Sequence, residues 1–140
     1  MEELYREERV RNIGVSNFSV KHLMELKEFA HLVPAVNQIE LHPFNYRQQR
    51  PVLDYCAEEG IIIEAYSPLA QMAWGDDVTI GRLAKTYQKT PAQILLRWSI
   101  QHDAVPIPKA TSYERITSNF QVFDLELTEA DMTALNRLSQ

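Results

Sequence analysis

Strand-like and helix-like stretches alternate along the whole chain, and such alternation leaves few architectures open. Runs rich in β-branched and apolar residues at 10–15, 35–41, 61–65 and 104–107 read as strands. Residues 61–65 are the most apolar of these, the pattern of a strand buried on both faces. Helical stretches fall at 20–30, 48–59, 77–87, 112–120 and 128–138, with one more opening at residue 91. Ser19 and Thr128 stand where N-caps belong, and Gly60 where a helix stops. Thr90-Pro91-Ala92-Gln93 combines a cap, a proline at the first helical position and a reciprocal glutamine. Strands separated by helices imply a parallel sheet with helical crossovers. The first two strand spacings each fit a single βα unit, while the third holds an extra loop and two helices.

In parallel α/β proteins chemistry gathers at the carboxyl ends of the strands. All four strands here run into polar residues at that end. The first exits through Ser16 and Asn17, and the second carries Asn37, Gln38, Glu40 and His42. The third exits through Tyr66 and Ser67, the fourth through Lys109, Thr111, Ser112 and Arg115. Four such clusters in register predict a shared polar pocket. The fourth is chemically the most specific. Two cations beside a helix N-terminus, with a hydroxyl between them, form an anion site suited to phosphate.

Other chemistries are excluded. The four glycines, Gly14, Gly60, Gly75 and Gly81, form no glycine-rich dinucleotide or P-loop pattern. The single Cys56 allows no internal disulfide, fits a reducing compartment and reads as a packed helix residue. A net charge of −5 gives no electrostatic footprint for nucleic acid or an anionic membrane. No apolar run reaches the roughly 18 residues of a membrane span. Charged residues from Glu2 to Arg9 do not spell a secretory leader, so a cytoplasmic location is expected. His22, His31 and His102 read as solvated, and no histidine has a second ligand at metal spacing.

Five segments carry a resemblance. Ile13-Gly14-Val15-Ser16-Asn17-Phe18, Val36-Asn37-Gln38-Ile39-Glu40-Leu41-His42-Pro43, Ala65-Tyr66-Ser67-Pro68-Leu69, Lys89-Thr90-Pro91-Ala92-Gln93 and Ile107-Pro108-Lys109 occur in this order. With Arg115 and Asn119, the chain resembles the aldo-keto reductase family from end to end. The resemblance implies the C-terminal half of a (β/α)8 TIM barrel, family strands five to eight, with residues 1–140 as one half-barrel unit. It further implies NADPH as cofactor and carbonyl reduction as the family reaction. By the same resemblance, Ser16, Asn17 and Gln38 hold the nicotinamide carboxamide, and Tyr66 stacks on its ring. Ser67, Leu69 and Gln71 cross the pyrophosphate. Lys109, Ser112 and Arg115 clamp the adenosine 2′-phosphate, and Asn119 contacts adenine. Trp74, in a loop that can close over the site, is a further candidate contact. Two positions depart from the family pattern. Ala110 replaces a usual serine, and Ser118 replaces an acidic or amide residue.

The resemblance also implies what is elsewhere. The family's Tyr acid, with its Lys, His and Asp, lies on the first four strands, so no catalytic residue is assigned to this chain. Alone it is expected to be inactive; alternatives are a non-catalytic nucleotide-binding module or a truncated fragment. Half a barrel has open strand edges and one uncovered face. Strands containing Ile13, Val15, Ile39, Ile61, Ile63 and Val105 are expected to face a homo-oligomer partner or a separate N-terminal half.

Overall fold

A computed structural model describes residues 1–139. Four parallel strands form one sheet in chain order: β1 (Val15–Ser16), β2 (Val36–Glu40), β3 (Ile62–Tyr66) and β4 (Ala104–Pro106). The helices are α1 (Glu2–Arg6), α2 (Val20–Lys27), α3 (Tyr46–Glu59), α4 (Val78–Tyr87), α5 (Pro91–Ile100), α6 (Tyr113–Phe120) and α7 (Glu129–Asn136). Side-chain caps open most of them. Ser19, Asp77, Thr90, Ser112 and Thr128 each accept a backbone N–H from the first turn. Gly60, left-handed at φ 71°, ends α3.

The core lies between one face of the sheet and the helix layer. Ile39, Ile63, Ala65 and Ala104 point into it and meet Leu23, Val52, Ile80, Leu83, Ile94, Leu95 and Trp98. Trp98 is fully buried, edge-on to Tyr46 and His102. Its indole N–H donates to Asn136 Oδ1 at 2.7 Å, so that oxygen is the acceptor for His102 Nε2 as well, at 3.0 Å. His102 is therefore packed rather than solvated, because α3, α5 and α7 converge on it; burial holds its imidazole below the ordinary range.

Strand parity decides the other face. Ser16, Gln38, Glu64 and Val105 stand in one row across the sheet. Val36 and Ile62 flank that row on one side, Glu40 and Tyr66 on the other. No described element covers this face, so Ile62 is 52% exposed and β3 is not buried on both sides. Ile39, Ile61 and Ile63 are buried among the helices instead. The open face is thus mixed polar and apolar.

The first strand is shorter than its pattern predicts, two residues in place of six. Before it, Gly14 crosses β2 so closely that an added Cβ would sit 2.8 Å from the Val36 carbonyl oxygen. Gly14→Ala is expected to cost about 1–3 kcal/mol by forcing β1 from β2. Urea unfolding followed by circular dichroism measures it, and a cost below about 0.5 kcal/mol contradicts the close approach. Helix α2 stops at Lys27, earlier than residue 30.

Candidate functional site

Two lobes form at the carboxyl ends of the strands. The first is built on β1 and β2. Ser16 Oγ donates to the Gln38 carbonyl at 3.0 Å, and Asn17 Nδ2 donates to Ser16 Oγ at 3.2 Å. Asn17 is left-handed at φ 58°, a conformation asparagine tolerates, and its N–H also bonds the Gln38 carbonyl. Gln38 Nε2 donates to Glu64 Oε2 at 2.8 Å.

Asn37 does not join this lobe. Parity turns it to the helix side, where it is fully buried. Its amide donates to the Phe18 carbonyl and accepts the Phe18 N–H. Both backbone groups of Phe18 are thereby held, fixing the turn that presents Asn17. Above the row, Glu40 pairs in register with Tyr66, and His42 Nε2 lies 3.4 Å from Glu40 Oε1. His42 is mostly buried, and burial outweighs Glu40 in holding its imidazole below the usual range.

The second lobe is an open groove of about 570 Å³ running from the β3 exit to α6. It brings together Ser67, Leu69, Gln71, Lys109, Arg115 and Asn119, with Trp74, Glu114 and Ser118 also on its walls. Tyr66 links the lobes along β3, since Ser67 follows it directly. Lys109 and Arg115 are exposed, and neither makes an ion pair among the described residues. Ser112 stands at the N-cap of α6, not in the groove wall, its Oγ accepting the Arg115 N–H at 3.3 Å. That bond leaves the hydroxyl proton able to donate. The α6 N-terminus adds its partial positive charge.

Two supports of the site have roles that the sequence did not show. Gln93 closes the α5 capping box and also donates Nε2 to the Ser118 and Gln121 carbonyls at 2.9 and 3.1 Å. One side chain thus starts α5 and anchors the end of α6. Glu64 is the other, a lone charge inside an apolar run, which was the available signal. The loop after β3 has a further property. Ser67, Ala70, Gln71 and Met72 all have positive φ, between 47° and 64°. Non-glycine residues hold this region at about 1–2 kcal/mol each, a strain that clusters at functional loops. Trp74, at the end of that run, is partly buried with its indole N–H unpartnered. Cys56 is buried in α3, and no group of metal-binding residues occurs among those described. No described helix is long and apolar enough to cross a membrane.

A model of the aldo/keto reductase family matches residues 1–140. An uncharacterized oxidoreductase of Caenorhabditis elegans is 48% identical over 99% of this chain and 43% of its own length. Glyoxal reductase of Bacillus subtilis is 42% identical over all of this chain and 50% of its own. Among solved structures, a variant of Gox0644 in complex with NADPH superposes with a TM-score of 0.93 at 37% identity, covering 99% of this chain and 51% of that one. An aldo-keto reductase from a Medee basin deep-sea metagenome library gives 0.89 at 43% identity, with 99% and 51% covered. The chain spans about half the length of the curated relatives it matches.

Proposed function

The chain belongs to the aldo/keto reductase family and has the fold of the C-terminal half of its barrel; from that premise we propose that residues 1–140 form one NADPH-binding unit of a carbonyl reductase. The observation that carries the reading is the groove. It sets two unpaired cations and a helix N-terminus at one end and the strained loop after β3 at the other. This donor set suits a dinucleotide bearing an extra phosphate. Lys109 and Arg115 hold the 2′-phosphate, with the Ser112 hydroxyl beside them, and Asn119 meets the adenine. Ser67, Leu69 and Gln71 line the pyrophosphate. Ser16, Asn17 and Gln38 hold the carboxamide, and the Tyr66 ring backs the nicotinamide.

When bound, NADPH supplies a hydride for a small aldehyde or ketone. In this reading the described residues bind and orient, and the proton donor comes from outside them; losing a positioned acid typically costs a factor of about 10²–10⁴. Reduction therefore requires the chain to be completed by an N-terminal half. Val105, Ile107, Ile116, Phe120 and Phe123 are exposed beside β4, the edge where such a half, or a second copy, would pair. A free, buried thiol fits the reducing cytoplasm.

Titrating NADPH into the folded chain tests the reading. Saturable quenching of tryptophan fluorescence is expected, dominated by Trp74 and reduced in Trp74→Phe. No change at millimolar NADPH overturns the reading. Aldehyde-dependent NADPH oxidation by the pure chain overturns the claim that it needs completion.

A further inference from the structure

Resting on the cofactor reading above, we propose that Glu64 is a positioning and specificity-determining residue, setting both the orientation of Gln38 and the preference between oxidised and reduced nicotinamide. Gln38 Nε2 donates to Glu64 Oε2 at 2.8 Å across adjacent strands in register. A carboxylate only accepts, so it takes the amide N–H and fixes the flip of the Gln38 side chain. Gln38 Oε1 then faces outward as an acceptor. The Gln38 backbone carbonyl is already engaged by Ser16 Oγ and the Asn17 N–H. The side-chain oxygen is thus the acceptor Gln38 has left for a ligand donor such as the nicotinamide amide.

The second consequence is electrostatic. Glu64 stands in the row Ser16–Gln38–Glu64–Val105 on the uncovered sheet face, and no cation pairs with it among the described residues. The oxidised nicotinamide ring is cationic and the reduced ring is neutral. An unneutralised carboxylate beside the carboxamide holder attracts the first and is indifferent to the second. Glu64 thereby tilts the site toward NADP+, easing oxidation of the bound cofactor.

Binding constants for NADP+ and NADPH, measured by calorimetry on the 140-residue chain, test this. Glu64→Gln removes the charge but keeps an amide partner. It is expected to lower the NADP+/NADPH affinity ratio by about tenfold, with NADPH affinity changing by less than about threefold. Glu64→Val also frees the Gln38 amide, and is expected to weaken both nucleotides as well as lower the ratio. A merely structural role would weaken both equally and leave the ratio fixed, and that result overturns the inference. If the wild-type chain binds neither nucleotide, the cofactor reading falls and takes this inference with it. An unchanged ratio on top of intact wild-type binding sinks this inference alone.

Discussion

Lys109→Ala and Arg115→Ala combined are expected to weaken NADPH binding by about a hundredfold or more, while NADH binding falls by less than about threefold. Each charge-assisted bond to phosphate is worth about 1.5–3 kcal/mol when well formed. Exposure of both side chains in the free protein argues for the lower end of that range. The 2′-phosphate is the group that distinguishes the two nucleotides, so the selectivity, not the absolute loss, identifies the clamp. Arg115 should carry more of it than Lys109, since a guanidinium can engage phosphate through two parallel bonds. Fluorescence titration at two salt concentrations measures both affinity and its screening. Equal losses for NADPH and NADH would place the 2′-phosphate elsewhere.

Trp98→Ala is expected to destabilise the chain by about 3–5 kcal/mol, a large share of what a domain this size possesses. The side chain is fully buried, packs edge-on to two rings and donates one hydrogen bond. Its loss opens a cavity where α3, α5 and α7 meet. Trp98→Phe retains most of the apolar volume and removes the N–H, so it should cost less, about 1–3 kcal/mol. The effect reaches the groove because α5 forms one groove wall through Thr90, Pro91 and Ala92, and holds α6 through Gln93. Urea unfolding with and without NADPH measures both consequences. A loss below about 1 kcal/mol in Trp98→Ala would show that this junction is not what organises the helix layer.

Helix starts were legible because each is a local bargain between one side chain and one or two N–H groups. Ser19, Thr90, Ser112 and Thr128 needed no tertiary information, and Gly60 marked its helix end for the same reason. Extents were less legible. β1 is only two residues long, and the close approach of Gly14 to Val36, which lie far apart in sequence, exists only in the sheet. Which face of a strand meets the helices is likewise a property of assembly. The polar residues of β2 look like one cluster in sequence, yet Asn37 braces Phe18 from the helix side while Gln38 and Glu40 stand on the open face. The same parity buried Ile39, Ile61 and Ile63 and exposed Ile62. His102 looked solvated because its partners, Tyr46 and Asn136, come from helices far away in sequence.

The site shows the same division. The motifs named the groove residues, and the fold brings most of them to one surface. What the motifs did not show is the bracing: Asn37 and Gln93 lie inside motif strings and Glu64 outside them, yet each supports a site element through a contact that only the fold makes. A strained loop is also invisible in sequence. Ala70, Gln71 and Met72 are ordinary helix formers, and only the fold puts them in the left-handed region.

The central claim is that one dinucleotide spans both lobes. Mapping NADPH-induced shifts in the amide spectrum of the ¹⁵N-labelled chain tests it most directly. Two groups of residues are expected to shift: 67–74 with 109–119 around the groove, and Ser16, Asn17 and Gln38 on the sheet. A dispersed, folded spectrum with no shifts at millimolar NADPH, or with shifts confined to surfaces away from these strand ends, would contradict it.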